Sequence, residues 1–505
     1  MAPTFSFPII IFLLPLLSVV LHSTTHAQST PVDDASFISV DLFKKGIDFG
    51  KDLAIKKGVS ALIPFELPQI ETAVKIPLIG TVYFTLSNIS LYEVNVSSSS
   101  VQPGDTGLVL IVSGARASLT MDWGYRYVSV IVITDNGTAS VQVENMEVGL
   151  ALGLKNEQGN LKLSLLDCGC VVKDIFIQMD GGASWLYQSI VSALESKIRS
   201  AIEVAVVEQI GGVIIELDSL LQTIPRAIDL DNIASWNITS VNDPVLDGYS
   251  VGVEINGLVM PIDGISSFGN NSRNIQSIVS CGGPAKMAGI SIHERVLNSA
   301  SLVYFNAGVM NMIVQNQSFL NTAHWKFLVP QLYRKYPNAD MILNISVSSP
   351  PVLTISEQSV DAMINVEIAV NVLDGHGEAV PVACIISLFT VSGYPSISRD
   401  TLTGSINMND FTMSLKSSSI GSLHIPMLKP FVEIILRTVG VPYVNLMMYW
   451  GTPLPTFMGY TIHKARFHYA DSRIVVCTDI HHMKKHDSQK VAQKIDYKEE
   501  EEESY

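Results

Sequence analysis

Apolar side chains in residues 184–223 recur at three- and four-residue steps: Leu186, Ile190, Leu194, Ile198, Ile202, Val206, Ile210, Val213, Leu217 and Leu220. That period predicts one long amphipathic helix. Its other positions carry Glu195, Lys197, Arg199, Glu203, Glu208 and Asp218, an expected solvent face. At about 1.5 Å per residue the helix spans roughly 60 Å, so it needs an elongated partner. Asp180-Gly181-Gly182 breaks the chain before it, Pro225 stops it, and Gly211-Gly212 is the expected bend.

Upstream, residues 36–62 show a second helical pattern, with Phe37, Val40, Phe43, Ile47, Leu53, Ile55 and Val59 mainly inward and Lys44, Lys45, Asp48, Lys51 and Lys56 outward. Between residues 75 and 179 the period falls to two: Val141/Val143, Leu150/Leu152/Leu154 and Leu161/Leu163/Leu165 alternate with smaller or polar residues. Turn signals at 103–105, 136–137 and 158–160 make this an antiparallel meander with one apolar face. The long helix is expected to cover that face.

Residues 224–289 hold scattered Pro, Gly, Asn and Ser around short strand-like pieces and read as a connection contributing some sheet. From 291 the order of elements returns: a helical piece to about 305, strands over 307–415, and a helix over 425–448 with Leu428, Phe431, Val432, Ile435 and Leu436 on one side. Final strands over 460–469 and 473–478 close the chain. Helix, sheet and helix thus occur twice, which predicts an α+β protein of two similar modules.

Composition sharpens this picture. Of 505 residues, 47% are hydrophobic and 16% charged, apolar for a soluble protein. The long uncharged run is 5–21; with Thr25-His26-Ala27 it reads as a secretory signal, residues 1–27, cleaved after Ala27. The rival reading is an uncleaved anchor. N-x-S/T sequons at Asn88, Asn95, Asn136, Asn237, Asn270, Asn316 and Asn344 fit a secreted glycoprotein. The segment 425–450 is apolar, but Lys429, Pro430, Glu433, Arg437 and Pro442 make it costly in hydrocarbon.

A net charge of −15 without a basic stripe argues against nucleic acid. The end of the chain, 481–505, reads as a solvated acidic tail, in which His481, His482 and His486 are exposed polar residues before they are metal ligands. Five dispersed cysteines (Cys168, Cys170, Cys281, Cys384, Cys477) do not build a disulfide scaffold, and the CxC pair lacks a second pair to complete a zinc set. No nucleophile elbow, HExxH, phosphate loop or dinucleotide fingerprint occurs, so no enzyme, cofactor or metal is expected. Asp374-Gly375-His376-Gly377 reads as a turn.

Two apolar helix–sheet interfaces remain, as plain cores or as lipid pockets. Burying an acyl chain of about fourteen carbons contributes on the order of 10 kcal/mol at roughly 0.8 per methylene. One arginine near an anionic surface contributes about 1 kcal/mol. In such a protein the pocket sets affinity and surface charge selects the headgroup.

The motifs LDCGC at 166–170, DGGASWLYQ at 180–188, LDSLLQTIP at 217–225, NSASLVYFNAGV at 298–309, LVPQLYRKYPNADM at 328–341, SPP at 349–351 and PLPT at 453–456 carry a resemblance in their order and spacing. The chain resembles the bactericidal permeability-increasing and lipopolysaccharide-binding protein (BPI/LBP) family, most closely its plant branch, over nearly the whole mature chain. The resemblance implies a boomerang of two barrel-like lipid-binding modules, 28–230 and 290–480, joined through 231–289 by a central sheet. It implies binding of lipopolysaccharide or phospholipid, contact with a membrane surface and a role in innate immunity. The destination is extracellular, with cell wall, apoplast or vacuole as endpoints. A general lipid carrier is the alternative, and an esterase or lipase a more distant one.

By that resemblance a first pocket is lined by Phe43, Ile47, Leu53, Leu186, Ile190, Leu194 and Ile198, and a second by Val296, Tyr304, Phe431, Ile435 and Leu436. The lysine-rich tip of some members corresponds to 115–128, which here reads ARASLTMDWGYRYV. Only Arg116 and Arg126 are basic there, beside Trp123, Tyr125 and Tyr127; the aromatics suit insertion at a lipid interface or, equally, packing across strands, and do not suit cationic capture of lipid A phosphates. The family's disulfide from the LDCGC strand to the long helix has no partner here, because the helix offers Val204-Ala205-Val206-Val207.

Overall fold

The computed structural model describes residues 35–76, 80–104, 107–128, 130–180, 187–263, 281, 286–398, 401–453, 460–470 and 472–482. The expected signal segment, residues 483–505 of the expected tail, the Gly181-Gly182 break and the Asn270 sequon lie outside these residues, whereas His481 and His482, expected in that tail, end the strand Arg473–His482. Two compact units emerge. An N-terminal unit comprises Leu42–Ile224 and Asn242–Val253; a C-terminal unit comprises Met1–Asp41, Pro225–Val241 and Glu254–Tyr505. Of the described residues in 231–289, Asn242–Val253 fall in the N-terminal unit and the others in the C-terminal unit.

In the N-terminal unit the alternating pattern forms an antiparallel sheet in the order Phe65–Leu67, Gly80–Asn95, Gly107–Val128, Val132–Glu157 and Asn160–Val171. Ile70–Ile76, Ser98–Gly104 and Asp174–Asp180 pair with inner members of that row. The order is linear, so the sheet stays open. Its apolar face is covered by the helix Tyr187–Gln222, which runs 36 residues and ends just before Pro225. The expected bend does not interrupt it: Gly211 and Gly212 remain helical, where a Cβ would meet nothing within 4 Å.

The helix's charged positions do more than face water. Asp218 accepts the backbone N–H of Leu163 at 2.8 Å and Glu203 that of Val172 at 2.9 Å, while Arg199 donates to the Val172 and Lys173 carbonyls. These partners lie on and just past the terminal strand Asn160–Val171, whose outer edge would otherwise leave hydrogen-bonding groups unpaired. A sheet edge is thereby satisfied by helix side chains.

Residues 36–62 depart from the single helix expected. Ile38–Phe43 is a strand and only Lys44–Ala61 is helical. The strand lies beside Ala288–His293, and His293 N–H donates to Phe37 O at 2.9 Å. Sheet pairing outweighs helical spacing there. The second module begins the same way, with Ala288–His293 followed by the helix Glu294–Asn306, so the repeat unit starts with a strand that turns into a helix.

In the C-terminal unit a second open antiparallel sheet runs Asn311–Val314, Met341–Val347, Val360–Leu373, Ala379–Ser398, Thr401–Ser418 and Thr452–Pro453, with Val352–Ile355 also on Val360–Leu373. Ile425–Trp450 lies along Thr401–Ser418 as two α-helical pieces, Ile425–Ile435 and Val441–Trp450, joined by a π-helical turn, Leu436–Gly440. At Asp374-Gly375-His376-Gly377 the Asp374 carboxylate accepts the His376 and Glu378 N–H groups, as a turn requires.

Cys281 and Cys477 form a disulfide across a sequence separation of 196, while Cys168, Cys170 and Cys384 are free thiols. Burial first, and then nearby Glu203, push the Cys170 thiol up to about 12, which leaves it unreactive. The helix Glu294–Asn306 is capped by His293, whose Nδ1 accepts the Arg295 N–H at 3.1 Å. Acceptance requires a neutral ring, and burial, followed by the charge of Arg473, holds its pKa below the usual 6.5.

Two outcomes follow for stability. The unfolded chain binds a proton at His293 below about pH 6.5 that the folded chain resists, so stability present above that value is lost as pH falls. His293→Asn should keep the cap and flatten the loss between neutral and about pH 5, whereas His293→Ala should cost about 1 kcal/mol at neutral pH. Cys281→Ser should cost about 2–5 kcal/mol, read as a lower denaturation midpoint that reductant does not lower further.

Candidate functional site

Alternation in the C-terminal sheet aims one row of side chains from each strand toward the helix. Val360, Ala362, Ile364, Val366, Ile368 and Val370 are every second residue of Val360–Leu373, and all of them line a cavity of about 620 Å³. Phe389 and Met408 join from the next strands, while Leu428, Val432, Leu436, Val444 and Met448 close it from the helix. Ligand pockets commonly hold about 300–1,000 Å³. A methylene takes about the room of a water molecule, roughly 30 Å³, so the space suits about twenty of them.

Among the described residues the lining carries no charged side chain, and Gln317 is its one amide. The indole N–H of Trp325 is directed to the Phe319 carbonyl at 2.8 Å. Such a wall offers dispersion and water exclusion but almost no hydrogen bonding, so it selects hydrocarbon and leaves any headgroup outside.

The N-terminal interface differs although its elements are similar. Trp123, Phe84, Leu86, Leu119, Met121, Leu194 and Ile198 are fully buried there. The space between the sheet and Ile202, Ala205 and Val206 is about 20 Å³, too small for a chain. Of the residues expected in a first pocket, Ile47, Leu194 and Ile198 are buried in the N-terminal hydrophobic cluster, and Phe43 and Leu53 are half-buried. Leu186 and the side chain of Ile190 fall outside the described residues.

In the second pocket, Ile435 and Leu436 line the cavity as expected. Three others do not. Val296 and Tyr304 are buried in a separate core with Phe37, Val259 and Val476, where the Tyr304 hydroxyl donates to Asp231 at 2.7 Å. Phe431 is 48% exposed on the helix's outer side. The expectation placed lining residues on helices alone; the alternating rows of 341–345 and 360–370 were the signal for the sheet wall.

The expected lipid-contacting tip is also redistributed. Trp123 is 2% exposed, stacks on Tyr125 and donates its N–H to Thr138 O at 3.0 Å, so it belongs to the core. Tyr125 and Tyr127 are half-buried against that core, Arg126 is exposed, and Arg116 sits well back along the strand opposite Glu144. The hairpin end itself is aliphatic: Val128, Val130, Ile131, Val132 and Ile133 are exposed, Val130 almost completely.

Among the sequons, Asn88, Asn95, Asn136, Asn316 and Asn344 are exposed. Asn237 is not. It is 5% exposed and its Oδ1 accepts both the N–H and the hydroxyl of Thr239, which leaves no room for a glycan in this fold.

These features define an α+β protein of two modules, each an open antiparallel sheet covered by helix, with a hydrocarbon-lined cavity under the second. The chain belongs to the LBP / BPI / CETP family, matching its N-terminal domain over residues 46–224 and its C-terminal domain over 229–482. It is 43% identical over 475 residues to a BPI/LBP family protein of Arabidopsis thaliana, covering 93% of this chain and 96% of that one. It is 24% identical to the lipopolysaccharide-binding protein of Homo sapiens, over 89% of this chain and 95% of that one. Against the bactericidal permeability-increasing protein of Sebastes schlegelii identity is 23%, over 83% and 89%. The crystal structure of a lipopolysaccharide binding protein superposes with a TM-score of 0.60 at 19% identity, covering 89% of this chain and all of that chain, and shares the fold.

The buried position of Trp123 has a direct test. Trp123→Ala should destabilise the N-terminal unit by about 3–5 kcal/mol in denaturant titrations. Vesicle binding by the folded fraction should be unchanged, in contrast to the loss expected of an interfacial tryptophan.

Proposed function

We propose that the chain is a secreted, non-enzymatic lipid-binding protein whose C-terminal cavity holds acyl chains of lipopolysaccharide or phospholipid, with a role in recognising bacteria. The observation that carries this is the cavity of about 620 Å³ with an uncharged wall. At roughly 0.8 kcal/mol per buried methylene, such a wall supplies most of the affinity. Family membership supports a lipid ligand, and relatives whose names state lipopolysaccharide binding support that choice. The exposed sequons at Asn88, Asn95, Asn136, Asn316 and Asn344 support secretion as a glycoprotein.

A second reading, a general lipid carrier without an immune role, is favoured by the aliphatic end of the hairpin at Val130–Ile133, where Arg126 is the nearby exposed cation. Lipopolysaccharide capture through phosphates would draw on a denser cationic surface.

Extraction of lipid from protein secreted by a eukaryotic host tests the cavity. Acyl lipid near one per chain is expected, falling several-fold in Ile364→Trp, whose larger ring occupies the lined space. Titration with lipopolysaccharide and with phospholipid at two salt concentrations then separates the two readings. Binding of phospholipid alone assigns the carrier. An empty wild-type protein that binds neither would sink the proposal, as would ester turnover abolished by a single Ser or His change.

A further inference from the structure

The helix over the cavity is apolar on both sides. Leu428, Val432, Leu436, Val444 and Met448 face the cavity. On the opposite side Met427, Phe431, Ile434, Leu446, Tyr449 and Trp450 are exposed by 48–75%. A surface helix that merely closes a core places charge outward. Here the charged side chains of the helix are few and engaged: Arg437 with Glu433 at 3.0 Å, and Lys429 toward Asp410 at 3.9 Å.

The attachment of this helix is one-sided. Asn445 accepts the Ile406 N–H at 2.6 Å and donates to the Ile406 carbonyl at 3.1 Å, and Arg437 donates to Met408 O at 3.0 Å. These bonds tie it along a single strand, Thr401–Ser418. The helix is interrupted at its middle by the π turn Leu436–Gly440, where Val441 N–H reaches the Leu436 carbonyl, and such turns accompany functional sites. Val439 and Tyr443, at and just past this turn, both line the cavity and are exposed, so the inner and outer apolar surfaces are continuous there.

We propose that the outer stripe of Ile425–Trp450 docks on the surface of a phospholipid bilayer, and that acyl chains pass between bilayer and cavity beside the π turn. The proposal rests on the reading of the cavity as an acyl-chain site. Three observations select a bilayer as the occupant: continuity with the hydrocarbon-lined cavity, a stripe without net charge to match a charged partner, and Tyr443, Tyr449 and Trp450 gathered toward one end. Tyrosine and tryptophan favour the boundary between headgroups and chains. Among the described residues this helix is long and apolar enough to cross a membrane. Lys429, Glu433 and Arg437 make crossing costly, so it lies flat in the interface.

The test pairs two readouts on the full chain: flotation with phosphatidylcholine vesicles, and lipid content after extraction. Ile434→Glu/Leu446→Glu replaces two exposed side chains, so the fold should persist. Flotation should fall at least about tenfold with lipid content unchanged. Tyr449→Ser/Trp450→Ser should lower flotation several-fold, and Ile313→Glu, exposed on a strand of the same unit, should float like wild type. Transfer of fluorescent phospholipid between vesicles should fall in step with flotation. Undiminished flotation of both stripe variants overturns the proposal, as does a wild-type protein that does not float. A concentration-dependent dimer dissolved by the stripe variants while flotation persists would assign the stripe to a second copy and overturn it too. Wild-type protein that floats through the stripe yet carries no extractable lipid would sink the cavity reading and leave the docking face standing.

Discussion

The large sheet of each unit is open, and an open sheet leaves strand edges with unpaired backbone groups. The solution is the same in each unit: a long helix lies along a strand edge that has no neighbouring strand there and lends it polar side chains. In the N-terminal unit Asp218 and Glu203 accept the N–H groups of Leu163 and Val172. In the C-terminal unit Asn445 supplies both an acceptor and a donor to Ile406, and Arg437 caps Met408. These bonds fix where each helix sits. Each is then held at the height at which its apolar stripe overlies the sheet, and what fills the gap becomes a matter of side-chain volume.

That volume separates the two units. Trp123, Phe84 and Met121 are fully buried in the N-terminal core, and the space beside Ile202, Ala205 and Val206 is about 20 Å³. Val360, Ala362, Ile364 and Val366 form a lower wall in the C-terminal unit, and about 620 Å³ stays open. An empty apolar cavity is destabilising in proportion to its size. Occupancy by hydrocarbon removes that cost and restores the lost dispersion contacts. The same physics that disfavours the cavity empty favours hydrocarbon inside it, the basis of the proposed function.

Much of the architecture was legible in the sequence because it rests on local period. The 3.6-residue recurrence from Leu194 to Leu220 gave the long helix, and the two-residue alternation of Val141/Val143 gave the meander. Legibility failed where pairing partners lie far apart in sequence. Ile38–Phe43 reads as helix, yet it pairs beside Ala288–His293, whose edge no local pattern reveals. Glu203 and Asp218 read as solvated charges, but the strand edge they serve is distant in the chain. Among the candidate site residues, Ile435 and Leu436 were found from the helix stripe. Trp123 was misplaced because an aromatic in a hairpin looks the same whether its face is the core or the surface.

The sequence by itself determined most of the elements, their order and their repetition, since these depend on the chemistry of neighbouring residues. Tertiary structure decided that about 620 Å³ stays open between the C-terminal sheet and its helix. It also turned Phe431, Ile434 and Leu446 outward while Val432, Leu436 and Val444 face the cavity. Those outcomes depend on how side chains from distant strands add up in one volume, a sum that no local pattern contains.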